Sequence, residues 1–272
     1  MLIAHITDTH VVPKGSHWLN EPRTQIEKRL VRVVEYLNQL NPQPDVVLLS
    51  GDLCDVEEIA SYEYLRELLA PLKSPLYVIP GNHDIRALMR IAFSDQAYMP
   101  QQGFIHYFVE HFPLDLIAVD TLEEGKPAGA ICEERFSWLQ QQMARNPGKP
   151  KLIFLHHPPM VVGHKMFDAI RCFVPDGFES WVAKQENLLG ILAGHQHQMC
   201  YATYGGKPCM VAQSVAPAHY FGDFHGESGK AKALQLDDPA VMLHYWSGGK
   251  HLVTRTIQLP EQSNIISWAG RK

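Results

Sequence analysis

The chain has 272 residues, 46% of them hydrophobic and 19% charged, with a formal net charge of −5. That length allows one large α/β domain with an ordinary core, and the acidic balance argues against a general nucleic-acid surface, which would be basic. No apolar stretch reaches the roughly 18 residues of a membrane-spanning helix, so no membrane partner is expected. Five irregularly spaced cysteines (Cys54, Cys132, Cys172, Cys200, Cys209) form neither a zinc pattern nor an even disulfide framework, and reduced thiols in a cytoplasmic setting are expected.

Residues 2–6 read as a buried strand, and a polar cluster follows so closely that no cleavable leader is expected ahead of it. Between 23 and 40, Ile26, Leu30, Val33, Val34, Leu37 and Leu40 fall at a helical period, with Asn20 as the cap and Pro22 in the first turn. A strand at 46–49, a helix at 56–69 stopped by Pro71, and a strand at 76–79 come next. A third helix begins near Ile85, with Asp84 at the N-cap position. The polar stretch 94–102 reads as loop, and a helix at 133–144 ends before Pro147-Gly148. Strands at 152–155 and 188–192 enclose 157–179, where Pro158-Pro159 and Pro175-Asp176-Gly177 predict loops over the sheet edge. This alternation argues for a mostly parallel sheet with right-handed crossovers.

The character changes after Gly194. Strands are predicted at 199–204, 208–213, 231–236, 241–246 and 252–259, with hairpin turns at Gly205-Gly206 and Gly248-Gly249. They suggest a second, mainly antiparallel sheet stacked on the first. The Gly- and His-rich segment 216–230 is expected at the mouth of the same site. With no linker, repeat or low-complexity tract, residues 1–272 are expected to form a single domain.

The chemistry is concentrated where the apolar runs stop. Asp8, His10, Asp52, Asn82, His156, His195 and His197 all lie just past the predicted strands, in the contexts ITDTH, SGDL, PGNHD, LHHPP and AGHQH. Taken singly each has a bland reading, since the chain holds 15 histidines and a Gly-Asp pair is usually a turn. Their joint placement is different: strand-end residues converge if the strands share one sheet. Asp8 and His10, two apart, can face the same way. Carboxylate, amide and imidazole without thiolate suit iron, manganese, zinc or cobalt, so a binuclear metal site of hydrolase type is expected.

The order D-x-H, G-D, G-N-H-D, H, G-H-x-H is present as Asp8-Thr9-His10, Gly51-Asp52, Gly81-Asn82-His83-Asp84, His156 and Gly194-His195-Gln196-His197. It resembles the calcineurin-like metallophosphoesterase superfamily from residue 2 to about 200. Within it, HHPP at 156–159 and IPGNHD at 79–84 resemble the class III cyclic-nucleotide phosphodiesterases and the bacterial glycerophosphodiesterase branch. The resemblance implies a metallophosphoesterase fold, a four-layer α-β-β-α sandwich of two stacked mixed sheets flanked by helices. It implies two divalent ions, one held by Asp8, His10 and His197, the other by Asn82, His156 and His195, with Asp52 bridging them. A bridging hydroxide would then attack a small phosphodiester, a 3′,5′-cyclic nucleotide or a glycerophosphodiester.

Catalytic roles are expected for His83, as proton donor to the leaving alkoxide, and for Asp84, which either holds that imidazole or caps the next helix. Asn82, His83 and His219 are expected to meet the substrate. His157 reads as structural, and Ser50 as a strand-end residue. His17, Trp18, Tyr220 and Phe221 either stack a base or pack. The competing readings are a phosphomonoesterase or nuclease on the same site, or a metal-poor scaffold without catalysis. The hairpin and apolar tail within 241–272 are expected to serve a homo-oligomer, a dimer or higher.

Overall fold

The computed structural model describes residues 1–220, 222, 225, 233–249 and 251–261. Along the chain, β1 (Leu2–Ile6), α1 (Ile26–Gln39), β2 (Val46–Ser50), α2 (Ile59–Leu69), β3 (Leu76–Ile79) and α3 (Arg86–Ala92) come first. Then follow β4 (Tyr107–Val109), β5 (Asp115–Val119), β6 (Gly129–Ala130), α4 (Glu133–Ala144), β7 (Lys151–Leu155), α5 (Lys165–Ala169), β8 (Cys172–Phe173), α6 (Phe178–Ala183) and β9 (Leu188–Ala193). The last third holds β10 (Cys200–Tyr204), β11 (Lys207–Val211), β12 (Ala218–His219), β13 (Leu234–Gln235), β14 (Ala240–Trp246) and β15 (Leu252–Gln258).

Two mixed sheets carry the fold, in the orders β15-β14-β1-β2-β3 and β10-β11-β9-β7-β5-β4. In the first sheet β1, β2 and β3 are parallel and β14 and β15 antiparallel additions; in the second β11, β9, β7 and β5 are parallel and the edges β10 and β4 antiparallel. The second sheet is buried on both faces, as its continuous apolar runs require. Leu116, Ala118, Leu152, Phe154 and Leu192 belong to the core cluster that also holds the first sheet. Their alternates Ile117, Val119, Ile153, Leu155 and Ile191 pack with Leu139 and Met143 of α4 and Phe178 and Val182 of α6. Period-2 alternation in doubly buried strands thus produces the four layers. Among the described residues, no helix is long and apolar enough to cross a membrane.

The assembly differs from the sequence reading in specific ways. The strands ahead of the polar clusters do not share one sheet: β1, β2 and β3 lie in one, β7 and β9 in the other. Nor do the C-terminal strands form a sheet of their own, because β10-β11 extend the second sheet and β14-β15 the first. Apolar runs declare strands, but the path of each crossover decides which sheet receives them. Strand β5, next to the edge strand β4, is not among the predicted elements, although DLIAV at 115–119 is an apolar run like the others.

At α1 the cap is Gln25, left-handed at φ 47°, and not Asn20. The segment Pro22–Thr24 forms a separate 3-10 turn closed by the Glu21 carboxylate, which accepts from the Arg23 N–H at 3.0 Å. The cap of α3 is Ile85, not Asp84. Within 157–179, α5, β8 and the start of α6 replace plain loop. Residues 231–232 of one predicted strand lie outside the described residues, as do Phe221 and the tail from 262 onward.

Candidate metal centre

Both sheets direct the carboxyl ends of their parallel strands to one place. The segments after β1 and β2 stay paired beyond the strands, with Asp8 N donating to Gly51 O and His10 N to Asp52 O, each at 3.0 Å. After β7 and β9, Gly194 N donates to His156 O at 3.0 Å. The sheets are tied where His195 N donates to Asp8 Oδ2 at 2.9 Å. Gly194 allows that approach: a Cβ there would lie 1.9 Å from Thr7 Oγ1 and 2.7 Å from Asp8 Oδ2. Gly81 does the same for the β3 turn, where a Cβ would meet Asp52 Oδ1 at 2.2 Å.

Five of the predicted ligands hold left-handed backbone: Asp8 (φ 52°), His10 (44°), Asp52 (49°), His195 (73°) and His197 (57°). Such a conformation costs roughly 1–2 kcal/mol per residue and persists where the surroundings impose it, commonly at functional sites.

Asp8, His10, Asp52 and His197 come together with their ligand atoms within 4.8 Å of one another, all buried. His197 Nε2 lies 2.9 Å from His10 Nε2 and 3.4 Å from Asp8 Oδ1, and His10 Nε2 lies 3.6 Å from Asp52 Oδ2. His156 Nε2 stands 3.3 Å from both Asp52 Oδ2 and Asn82 Oδ1. His195 joins this second group, its ring 5.1 Å from that of His156. Asp52 Oδ2 therefore lies between the two groups, while its Oδ1 accepts the His83 backbone N–H at 2.9 Å. All seven predicted ligands are brought to one centre.

The far side of each ring decides what this centre accepts. His10 Nδ1 is 2.9 Å from Asp55 Oδ1, His197 Nδ1 is 3.0 Å from Pro217 O, and His156 Nδ1 is 2.7 Å from Ser50 O. Those acceptors favour a ring proton at each Nδ1 and aim each Nε2 into the centre. Three Nε2 atoms converge on Asp52 Oδ2 and on Asp8 Oδ1, and the latter has no hydrogen-bond partner. Buried imidazoles and carboxylates that converge with no lysine or arginine paired to them among the described residues fit cations, and this set of oxygen and nitrogen atoms is the one expected for divalent metals.

The proton equilibria agree. Burial pushes His197 down to about 3 and His195 well below the ordinary range. Burial also opposes charge on His156, but Asp52 and Asp8 outweigh it and lift this ring to about 9. For Asp8, burial together with the Asp52 charge raises the carboxyl despite His156 and His10. Asp52 is held well below its usual range because the neighbouring histidines, His156 foremost, outweigh burial. The centre draws positive charge toward itself.

His83 is half exposed at the rim, its Nδ1 3.1 Å from Asp55 Oδ1. Burial of its ring is outweighed by that hydrogen bond and by the Asp52 charge, raising it to about 9. Sequence reasoning missed Asp55, whose single Oδ1 meets both His10 and His83. The signal was its position three residues after Asp52 in the same turn. Asp84 departs from both of its expected roles. Its carboxylate accepts from Gly81 N, Leu53 N, Cys54 N and Tyr62 OH, at 2.9, 3.0, 3.3 and 2.9 Å, so it clamps the two loops together.

His219 lies beside His197, with ring centroids 4.7 Å apart, and against Phe167 at 5.5 Å. His157 is bonded through Nδ1 to Thr121 Oγ1 at 2.8 Å, yet its ring also falls within the His156–His195 group. Trp18 is buried at 4% exposure and packs on His10, so its face is not offered to a base. His17 and Tyr220 are exposed.

The family model for calcineurin-like phosphoesterases matches residues 1–199. A probable glycerophosphodiester phosphodiesterase GpdQ of Arcobacter nitrofigilis is 30% identical, over 94% of this chain and 92% of the relative. The 3′,5′-cyclic adenosine monophosphate phosphodiesterase CpdA of Escherichia coli K12 is 26% identical, over 78% of this chain and 75% of the relative. Among solved structures, a dimetal phosphatase from Danio rerio shares the fold with a TM-score of 0.64 at 14% identity, covering 95% of this chain and 99% of that one. The chain belongs to the calcineurin-like phosphoesterase family.

Proposed function

We propose that this phosphoesterase binds two divalent metal ions and hydrolyses small phosphodiesters, glycerophosphodiesters and 3′,5′-cyclic nucleotides being the candidate classes. The observation that carries the metal reading is the convergence of three imidazole Nε2 atoms, each backed by an acceptor at its Nδ1, on two buried carboxylates, one of which keeps an oxygen, Asp8 Oδ1, without a hydrogen-bond partner. Asp8, His10 and His197 would hold one ion, Asn82, His156 and His195 the other, with Asp52 shared. Iron, manganese, zinc and cobalt all suit this set. The names of the relatives support the substrate class.

When bound, two divalent ions neutralise phosphate charge and acidify water toward physiological pH. The protein's own groups do the rest. His83, at the exposed rim and carrying a proton, is placed to deliver it to a leaving alkoxide. Asp55 aims the His83 ring and, through the same oxygen, the His10 ring. Asn82 and His219 border the space where a diester would lie.

Elemental analysis of the purified protein and a panel of cyclic nucleotides, glycerophosphodiesters and phosphomonoesters, compared by kcat/KM, test this reading. About two metals per chain and preference for diesters are the expected results. Metal content far below two with no turnover would indicate a non-catalytic scaffold, and monoester preference a phosphomonoesterase. A cytoplasmic setting is part of the proposal and fits five unpaired thiols. So is a homo-oligomer that uses the tail. Truncation after Leu259 should lower the mass in light scattering and alter diester preference together; unchanged mass and preference refute it.

A further inference from the structure

Trp18 occupies a place that the proposed chemistry does not explain. Its indole stacks on His10, with centroids 4.8 Å apart and planes at 28°, and also faces His197 at 5.9 Å and 22°. These are the two histidines whose Nε2 atoms approach to 2.9 Å. A cavity of about 240 Å³ also abuts Trp18, lined among others by Val12, Ile26, Tyr64 and Leu68. The indole is therefore a wall between that cavity and the imidazoles. The turn carrying it is held against backbone preference, with Leu19 at φ 53° and Asn20 at φ 55°. Burial of Trp18 without a partner for Nε1 is a further cost.

We infer that Trp18 is a positioning residue of the first metal site, holding the His10 and His197 rings in ligating orientation and sealing them from the cavity beside it. The inference rests on the proposed metal centre. An imidazole bound to a divalent cation carries positive charge, and the electron-rich indole face favours that state over the metal-free one. The apolar wall also limits solvent access to the ion. Trp18 then sets how tightly the first ion is held and leaves the second, around Asn82, His156 and His195, largely unaffected.

The test uses metal-depleted full-length protein and cobalt(II), with binding followed by equilibrium dialysis and elemental analysis. Trp18→Ala should weaken one of two ions by roughly 10–100-fold, the range for losing a group that orients ligands, and keep the other within about threefold. Trp18→Phe, which retains an aromatic face, should restore most of the loss. Cobalt should quench tryptophan emission in the wild type, and Trp18→Phe should lose most of that quench although Trp138, Trp181, Trp246 and Trp268 remain. Wild-type affinity for both ions in Trp18→Ala overturns the inference. Equal weakening of both, with a lower melting temperature of the metal-free protein, also overturns it by reducing Trp18 to a packing residue. Wild-type protein that binds no cobalt overturns the metal-centre reading itself.

Discussion

The two stacked sheets treat buried charge in opposite ways at the two ends of their parallel strands. At the amino ends of β5 and β7, Asp115 and Lys151 are both fully buried. Lys149 Nζ lies 2.7 Å from Asp115 Oδ1 and Lys151 Nζ 3.4 Å from Oδ2, while Lys151 also donates to Asn146 O and Lys149 O. Charge is balanced there within the chain. At the carboxyl ends, just past β1 and β2 of the first sheet, Asp8 and Asp52 are buried as deeply and face imidazole rings instead. Among the described residues no lysine or arginine is paired with either. Buried charge is tolerated only when compensated, so one rim is closed and the other is built to receive its countercharge from outside.

Asp52→Ala is the strongest way to break that contrast. Its Oδ2 lies between both groups of candidate ligands, so its loss should release both ions and lower turnover by roughly 10³-fold or more, as when a charge-stabilising group is lost. Elemental analysis that still finds two metals per chain would sink the shared-ligand assignment. His83→Ala comes next and should keep both ions while slowing the chemical step roughly 10²–10⁴-fold, the usual worth of a general acid. The loss should shrink for nitrophenyl diesters, whose leaving group needs little protonation. Equal losses for good and poor leaving groups would place His83 in a charge-stabilising or orienting role.

Asp55→Asn sharpens the contrast because one Asp55 oxygen meets two imidazoles of this rim, His10 and His83. The amide can still accept from one ring but offers no charge to hold the second. Metal affinity and turnover should each fall roughly 10–100-fold, a smaller loss than for Asp52. Unchanged affinity with reduced turnover would mean that only the contact with His83 matters.

How legible this was in the sequence follows from the physics of each part. The strand-end motifs were plain, because a short apolar run followed by Asp, His or Asn is a local pattern, and all seven candidate ligands meet at one centre. The partition of strands between sheets was not legible, since β3 and β7 look alike locally and differ only in crossover path. Asp84 and Asp55 misled for a related reason. Both are aspartates in turns beside candidate ligands, and only the fold shows that Asp84 accepts three bonds from the two loops and one from Tyr62 of α2, while Asp55 meets two histidine rings.

The smallest effect on turnover is expected at the opposite rim, where Lys151→Met tests whether the two ends are independent. Removing the ammonium leaves Asp115 Oδ2 without its cation, although Lys149 still reaches Oδ1. Breaking a buried pair by removing one partner costs about 3–5 kcal/mol, and the remaining Lys149 contact should hold the loss to about the low end of that range. The midpoint of denaturant unfolding should drop accordingly, read with the m-value unchanged. The combined Lys151→Met, Asp115→Leu variant should recover much of the loss, because well-packed apolar groups can replace a buried pair at little cost. Metal content and kcat/KM should stay at wild-type values in both variants, since the exchanged groups lie at the far end of β5 and β7 from the candidate ligands. A loss of bound metal in Lys151→Met under folded conditions would show that the two rims are coupled, and that the countercharge at one end is set partly by the other.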